Sequence, residues 1–420
     1  MPPLEQCRAL FPALQYQHNG QAAIFLDGPG GSQVSQSVLT AMQDYLGHFN
    51  ANLGGAYFSS KETEKVMHQA RLAAKDLYNA RSEQEIVFGA NATSINFHMS
   101  RAIARDWQAG DEIIVTNLDH FSNVSPWVLL AEEKGVAVHY VQVNEDDCTL
   151  DLTHLESLLN ERTRLVAFTC ASNVTGSIVP LEAVMRKVKK HTNALTYLDA
   201  VHYAPHHAID VQALDCDFLV SSAYKYFGPH LGVLYAKADT LSQLTPYKVA
   251  PAKNIDPNRW ETGTQNYEAM AGYIACVDYL ASLGEQSLGK QSGDRRARLV
   301  SAFERIKSHE EALSQTLIRE LTKIPSLTLY GIESLDRVAE RTPTIAFRIK
   351  GIEPRAISEF FGEQAICLWD GNFYAQGLYD QLGLTDKGGV VRVGCLHYNS
   401  EEEVMIFCQK LQQLVASSNN

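Results

Sequence analysis

A lysine lies between two apolar segments that both read as buried strands. Lys225 follows residues 217–220, Asp-Phe-Leu-Val, and precedes residues 232–235, Gly-Val-Leu-Tyr. Lysine is among the residues least often buried, so its place here needs a reason other than packing. A lone lysine is usually a surface residue, but a lysine inside a crevice can form a Schiff base with a carbonyl compound.

Polar residues follow the other predicted strands of this region. Asn91 and Thr93, with Ala92 between them, follow residues 85–89, His120 follows 112–116, and Asn173 follows 165–169. Asp199 and His202 lie at the end of 194–200. Ser222, Tyr224 and Lys225 follow 217–221. Ligands of open α/β sheets bind beyond the carboxyl ends of the strands. We therefore expect these residues to share one crevice.

The residue types in this set point to one cofactor. A turn of small residues at a helix N-terminus, here residues 89–94, offers N–H groups and a hydroxyl to a phosphate. A lysine can hold an aldehyde, and an aspartate can keep a pyridine nitrogen protonated, so that the ring accepts electrons. These are the requirements of pyridoxal 5'-phosphate (PLP). Each residue alone has an ordinary interpretation; their joint order along the strands favours PLP.

The sequence gives less support for a metal site or a phosphate loop. His202, His206 and His207 lie close together, but no acidic or cysteine partner has ligand spacing, so we expect no metal. The Gly-Pro-Gly-Gly sequence at residues 28–31 lacks the lysine of a phosphate loop and predicts a tight turn.

These residues need a sheet to position them. Continuous apolar runs predict seven strands, at residues 85–89, 112–116, 136–143, 165–169, 194–200, 217–221 and 232–236. Helices are expected at residues 93–107, 125–135 (with Pro126 in the first turn and Gly135 at the end), near 151–160 and at 181–191. The alternation predicts an α/β fold with a mainly parallel sheet and helices on both faces.

The character of the chain changes after about residue 285. A charged helical stretch leads to strand-like segments at residues 326–331, 344–351 and 390–394. We therefore predict a large PLP-binding domain at residues 24–285. A smaller α+β domain at residues 286–420 follows, with residues 1–23 packing on it or across a dimer.

The net charge, the N-terminal sequence and the cysteines indicate which classes of partner and which cellular compartment to expect. The chain has 420 residues and a formal net charge of −12, which disfavours nucleic acid and anionic membrane surfaces. The N-terminus lacks the features of a signal peptide, and no apolar run is long enough for a membrane helix. The eight scattered cysteines favour reduced thiols, so we expect a cytoplasmic protein.

The longest stretch around Lys225, "YLDAVHYAPHHAIDVQALDCDFLVSSAYKYFGPHLGVLYAK", resembles the cofactor segment of the class V, fold-type I PLP enzymes, and is most similar to the cysteine desulfurase group. "GANATSIN", "LDHFSNVSPW", "SNVTGSI", "RWETGTQN" and "VRVGCLHYNS" match the same group in order, over about residues 24 to 410.

The resemblance implies a role for each matching residue. Lys225 would carry the cofactor, Asp199 would pair with its pyridine nitrogen, and His120 would stack on its ring; these three are the expected catalytic residues. The remaining cofactor contacts would be Ala92, Thr93, Asn173, His202, Ser222 and Tyr224, joined by Gly263 and Thr264 of a neighbouring subunit in a homodimer with shared sites. Arg392 would bind the substrate α-carboxylate with a bidentate fork, near Asn173 and Tyr374.

The chain departs from the group in three places. Tyr224 replaces the histidine before the lysine, and a phenol can still donate to phosphate. Residues 51–64 differ and contribute Tyr57. Most importantly, residues 369–374, "WDGNFY", stand where the desulfurases carry Arg-x-Gly-x-x-Cys, so Tyr374 replaces the cysteine that takes up sulfur. Cys367 is nearby, but its apolar neighbours favour a buried strand position.

The expected reaction is therefore α,β-elimination from a small amino acid, cysteine or a relative, without a persulfide. Lys225, once freed, would remove the α-proton. Alternatives are desulfuration with another acceptor, transamination, epimerisation with Tyr374 or Tyr57 as second acid, and a non-catalytic PLP-binding partner in sulfur metabolism.

Overall fold

The structure, a computed structural model, describes residues 4–288 and 294–418 of the chain. Its α-helices are α1 (Leu4–Arg8), α2 (Gln36–His48), α3 (Phe58–Tyr78), α4 (Ala92–Ile103), α5 (Ser125–Lys134), α6 (Leu152–Leu158), α7 (Leu181–His191), α8 (Val211–Leu214), α9 (Ala238–Gln243), α10 (Tyr267–Leu288), α11 (Arg295–Leu321), α12 (Pro354–Gly362), α13 (Gln376–Gln381) and α14 (Glu401–Ser418).

The strands form one large sheet, one medium sheet and three short pairs. They are β1 (Gln17–His18), β2 (Gln21–Ala22), β3 (Ile24–Phe25), β4 (Ile86–Gly89), β5 (Glu112–Thr116), β6 (Ala137–Val141), β7 (Val143–Asn144), β8 (Thr149–Leu150), β9 (Thr163–Thr169), β10 (Leu195–Asp199), β11 (Phe218–Ser222), β12 (Gly232–Ala236), β13 (Leu327–Tyr330), β14 (Thr344–Ile349), β15 (Ile366–Cys367), β16 (Trp369–Gly371) and β17 (Val390–Gly394).

The large sheet has seven strands in the order β4-β12-β11-β10-β9-β5-β6. Five neighbours, β11, β10, β9, β5 and β6, run parallel to one another, and β12 is antiparallel to both β11 and β4. The predicted α/β fold with a seven-stranded, mainly parallel sheet is confirmed.

The apolar runs form strands because both faces of the sheet are covered. Along β9, Leu165 and Ala167 pack into one core cluster, whereas Val166 and Phe168 pack into another on the opposite face. Successive strand residues point to opposite faces, so a strand buried on both must be apolar throughout. Continuous hydrophobicity was thus the correct signal for this sheet.

The predicted boundaries differ from the observed ones in a few places. The run 136–143 is interrupted at Gln142, whose N–H donates to His154 Nδ1 and whose carbonyl accepts from Asp151, so the chain leaves the sheet after Val141. Helix α5 ends as predicted at Gly135, whose positive φ of 68° is a conformation that glycine adopts without strain.

A four-stranded antiparallel sheet, in the order β13-β14-β17-β16, forms the second layer of strands. Its apolar face packs against α11 and α14 through residues such as Leu317, Phe347 and Phe407. The N-terminal part joins this region, because β3 pairs with β15 and Arg8 forms an ion pair with Glu403 at 2.8 Å.

The proposed domain limits stay a prediction. The boundary at residue 285 falls in the last turns of α10. Parts of the predicted small domain, residues 1–3, 289–293 and 419–420, lie outside the described residues. No helix in the described part of the chain is both long enough and apolar enough to span a bilayer.

Candidate active site

A cavity of about 630 Å³ lies at the carboxyl ends of the parallel strands. Nine of the predicted site residues line it: Ala92, Thr93, His120, Asn173, Asp199, His202, Ser222, Tyr224 and Lys225. They come from five strand ends that are far apart in sequence, and the sheet order brings them together. This volume is in the range of small-molecule sites.

Lys225 lies in the short turn after β11, at the wall of this cavity. Its Nζ donates to the carbonyl of Pro29 and sits 4.7 Å from the centroid of the Tyr224 ring. Burial lowers the pKa of Lys225 to about 7, helped by the positive charge of Arg392 and opposed by Asp199 and Asp27. Much of this amine is therefore neutral at neutral pH, the form that attacks a carbonyl carbon.

Asp199 ends β10 and is only 4% exposed. Its Oδ1 accepts the N–H of Val201 at 2.8 Å. Burial raises its pKa to about 6, against the lowering effects of that hydrogen bond and of Lys225. A carboxylate with this proton affinity favours a cationic N–H partner, such as the protonated nitrogen of a pyridine ring.

The N-terminus of α4 forms the end of the cavity that suits a phosphate. Asn91 caps the helix, its Oδ1 accepting the N–H of Ser94 at 2.8 Å, and Ser222 Oγ accepts the N–H of Ala92 at 3.0 Å. A Cβ on Gly232 would lie 2.6 Å from the Asn91 backbone, so glycine permits this close approach. The partial positive charge at a helix start attracts anions.

His120 presents a neutral imidazole to the cavity. Its Nδ1 accepts the N–H of Ser122 at 3.0 Å, which leaves the proton on Nε2. Burial, followed by the charges of Lys225 and Arg392, lowers the pKa of His120 to about 4. A neutral ring can stack on a flat cofactor without the cost of burying a charge.

His202 is supported by a buried network that the sequence reasoning missed. Its Nε2 lies 3.2 Å from Thr342 Oγ1, and its ring contacts His206 with centroids 5.4 Å apart. His206 Nδ1 lies 2.8 Å from Oε2 of Glu310 on α11. Burial lowers the pKa of both histidines and raises that of Glu310, so the neutral forms are favoured.

Arg392 lies on β17, just outside the residues that line the cavity, and is 5% exposed. Its Nη1 donates to the carbonyl of Asn173 at 2.7 Å, and Phe373 covers its guanidinium at 3.8 Å from the ring centroid. Asn173 Nδ2 donates to the Phe373 carbonyl at 3.0 Å. The face of the guanidinium is thus covered, while its orientation is fixed for contacts along its edge.

Tyr374, which the sequence motif predicts to replace the desulfurase cysteine, is 72% exposed and its ring lies 5.4 Å from that of His120. Its carbonyl accepts the N–H of Phe121 at 2.7 Å, which ties this segment to the cavity. Cys367 lies on β15 and is partly exposed. Its burial and, to a smaller extent, the negative charge of Asp27 raise the pKa of its thiol to about 11. A thiol with a raised pKa is a poor nucleophile at neutral pH.

Gly263 and Thr264 do not reach this cavity in the same chain. Both are exposed, and Thr264 lines a neighbouring hollow that shares Ser94 and His230 with the cavity. Their predicted role in a neighbouring subunit's site therefore stays a prediction. In the described part of the chain no group of three or more His, Cys, Asp or Glu is placed to hold a metal ion.

Asp27 is a second residue that the sequence reasoning missed. It follows β3, and the charges of Arg392 and Lys225 both act on it. Burial raises its pKa to about 6, and its buried Oδ1 has no hydrogen-bond partner. The available signal was its place directly after the apolar run Ile24–Leu26.

The sequence pattern of the family described as "Aminotransferase class-V" matches residues 24–407. The chain belongs to this family. It is 34% identical over 412 residues to the aminotransferase-like protein FGM3 of Gibberella zeae, covering 96% of each chain. It is 31% identical over 427 residues to a cysteine desulfurase of Pectobacterium atrosepticum, covering 98% of each.

Solved structures support the same fold for this class V aminotransferase. An apo cysteine desulfurase from Thermococcus onnurineus aligns with a TM-score of 0.86 at 24% identity, covering 98% of both chains. The cysteine desulfurase CsdA of Escherichia coli aligns with a TM-score of 0.83 at 24% identity, covering 99% of both.

The chain is therefore a PLP-dependent enzyme of the cysteine desulfurase-like group, and its cofactor is pyridoxal 5'-phosphate. The residues of the cavity fit this cofactor. They supply an amine for the aldehyde, a carboxylate for the ring nitrogen and a helix start for the phosphate. Asn173 adds a buried Oδ1 without a partner, an acceptor left for a donor on the ligand.

Proposed function

We propose that this enzyme catalyses α,β-elimination from cysteine or a related small amino acid, without a persulfide on the protein. One observation supports the proposal most: nine predicted cofactor residues line one cavity, whereas the residue that the sequence motif aligns with the sulfur-accepting cysteine is an exposed phenol, Tyr374. A persulfide forms only on sulfur, and the partly exposed Cys367 has a raised pKa.

The cofactor would be held by residues from both ends of the cavity. Lys225 would bind its aldehyde, Asp199 its ring nitrogen and His202 its ring hydroxyl, while His120 would stack on the ring. Thr93 at the start of α4 and Ser222 at the end of β11 would bind the phosphate. When bound, PLP takes up the electron pair released at the substrate Cα, which makes the α-proton acidic.

Arg392 and Lys225 would bind the substrate and remove its α-proton. The edge of the Arg392 guanidinium would bind the α-carboxylate with two parallel hydrogen bonds, since Phe373 and Asn173 already fix its plane. The Lys225 amine, with its pKa lowered to about 7, would take the α-proton from Cα. Arg392 stays cationic, because burial lowers its pKa only to about 10.

The leaving group departs from Cβ with the electrons of the C–S bond and needs no protein nucleophile. With water, cysteine would yield pyruvate, ammonia and hydrogen sulfide, so that atoms and electrons balance. Lys225 can return its proton to the departing sulfur or to the product.

We also propose a homodimer. Gly263 and Thr264 are exposed and do not line the cavity of their own chain, as expected for residues that complete the phosphate site of a partner. The positive φ of Gly263, 75°, suits a tight loop at such a contact.

A second candidate is desulfuration with a thiol acceptor from outside this chain. The similarity to cysteine desulfurases over nearly the whole chain favours this reaction. It would use the same residues up to the removal of the α-proton.

The test is a product analysis of the purified holoenzyme with cysteine and cystine. Elimination predicts equal amounts of pyruvate and ammonia. Alanine as product, formed only when an external thiol is present, would favour desulfuration instead. Transamination would give a keto acid and the amine form of the cofactor, and solvent deuterium at Cα of recovered substrate would indicate epimerisation.

A further inference from the structure

A second cavity, of about 550 Å³, adjoins the one that holds the proposed cofactor site. The two share Tyr224 and His230, whose rings stack with centroids 5.1 Å apart and an interplanar angle of 14°. This stacked pair is thus part of the wall of both cavities. We call the second space the side cavity.

The side cavity is mainly apolar. Its apolar lining residues are Val34, Leu39, Met42, Pro229, Ala269 and Trp369, and its polar ones include Asp27 and Asn266. Trp369 is 53% exposed and lies against Gly30, where a Cβ would be 2.8 Å from the indole Nε1. Leu39 is also exposed. These side chains offer apolar surface that a ligand could cover.

The side cavity is close to the groups that would bind the substrate. The turn at its edge, Gly28–Gly30, carries the Pro29 carbonyl that accepts from Lys225. Trp369 on β16 is the direct antiparallel partner of Arg392 on β17, and directly opposed residues point to the same face of a sheet. An amino acid bound at Arg392 and Lys225 would therefore lie beside the side cavity.

We propose that the side cavity binds an apolar substituent on the sulfur of the substrate, so that S-substituted cysteines are preferred over cysteine itself. The proposal rests on the elimination reaction proposed above. Lys225 removes the α-proton, the bond between Cβ and sulfur breaks, and the thiolate leaves with the electron pair and takes up a proton. With one water, the products are the free thiol, pyruvate and ammonia, and no oxidant or reductant is needed.

Tyr374, in place of the desulfurase cysteine, is consistent with a preference for S-substituted cysteines. A persulfide mechanism needs a bare sulfur that a protein thiol can attack, whereas a thioether has no sulfur to give without a second bond cleavage. Elimination from a thioether needs only a place for the departing group. The side cavity supplies apolar surface for it, and Tyr374 removes the competing thiol.

The experiment compares the holoenzyme on L-cysteine, S-methyl-L-cysteine and S-benzyl-L-cysteine by pyruvate release. We expect kcat/KM for the benzyl compound to exceed that for the methyl compound by at least about tenfold, the discrimination that a few apolar carbons provide. Met42→Trp, which fills the side cavity, should reduce this ratio to about one. Leu129→Ala, an exposed leucine on α5 outside both cavities, should leave the ratio unchanged.

A binding measurement separates this proposal from the reaction itself. Trp107, Trp127 and Trp260 are buried, so Trp369 is the exposed tryptophan. S-benzyl-L-cysteine should quench its fluorescence, and Trp369→Phe should abolish the quenching. If none of the three amino acids releases pyruvate but the quenching is seen, the elimination reaction is wrong and the binding site stands. Equal kcat/KM values, or quenching that survives Trp369→Phe, would overturn the proposal.

Discussion

The two halves of the proposed active site are built differently. The cofactor side rests on strand ends of the seven-stranded sheet, where Asp199 is 4% exposed and hydrogen-bonded. The substrate side includes residues 369–374 at the edge of the four-stranded sheet, where Trp369 and Tyr374 are more than half exposed. The sequence motifs predict that the first half matches the cysteine desulfurases and that the second departs from them.

This contrast indicates which part of the chemistry is free to change. The buried strand ends hold charged and polar groups whose pKa values depend on one another, so replacing one disturbs several. The exposed segment contacts two residues of the cavity wall, Asn173 through Phe373 and His120 through Tyr374, and can exchange side chains at small cost to the fold. One scaffold can therefore keep the cofactor and alter the fate of the leaving group.

The largest effect should come from Lys225→Ala on the cofactor side. Removing the amine eliminates the base at the α-proton, so turnover should fall by about 10³-fold or more. The measurement is pyruvate release by the purified variant, with Lys253→Ala, an exposed lysine, as control. Turnover within tenfold of the parent would contradict the role of Lys225.

Arg392→Lys should have the next largest effect. The charge is kept but the two-pronged hydrogen bond and the contact with Phe373 are lost, so KM should rise about 10- to 100-fold, the range for hydrogen bonds to charged groups. The visible spectrum of the cofactor should stay unchanged, because the cofactor side is untouched. Arg355→Lys, exposed on α12, is the matched control, and an unchanged KM in Arg392→Lys would place the carboxylate elsewhere.

The pH dependence of cofactor loading tests the electrostatics of the cofactor side. Burial lowers the pKa of Lys225 to about 7. The fraction of the amine that is neutral and reactive therefore increases as the pH rises toward 7 and approaches one soon above it. The rate at which the cofactor-free protein combines with PLP should rise about tenfold per pH unit below pH 7 and then level off. A rate that keeps rising beyond pH 9, as for a free lysine derivative, would contradict this pKa.

Tyr374→Cys tests the substrate side and should have the smallest effect on turnover. The new thiol would lie where the sequence motif of the desulfurases has its cysteine, so its attack on the sulfur of cysteine should break the bond between Cβ and sulfur. This would leave a persulfide on the variant, detectable in its intact mass, and release alanine. Consumption of cysteine should change by no more than about threefold, since Tyr374 has no role in proton removal, while part of the product becomes alanine instead of pyruvate. Cys367→Ser should leave both properties unchanged, and an added sulfur on the parent protein that disappears in Cys367→Ser would show that Cys367 is the acceptor.

The sequence predicted the strands of the large sheet and the residues that share the cavity well, because these signals are local. Apolar runs that must be continuous to fill both faces of a sheet revealed all seven strands, and polar residues directly after them revealed the cavity. The limits of β6 were wrong, because Gln142 bonds to residues of the next helix rather than to the sheet.

What the sequence could not show depends on distant contacts. Glu310 reaches His206 across 104 residues from the middle of a 27-residue helix, whose own pattern does not mark that position. Phe373 covers Arg392 only because β16 and β17 are paired in one register. Asp27 follows a strand of two residues, too short to be recognised from periodicity.

The most direct measurement of the central claim is to treat the yellow holoenzyme with borohydride and to map the peptide that keeps the cofactor. Reduction makes the bond between the cofactor and its lysine permanent, so mass spectrometry of a digest identifies the residue. The account predicts one pyridoxyl group per chain, attached to Lys225 and absent from Lys225→Ala. A label on another lysine, or none on a protein that remains active, would contradict it.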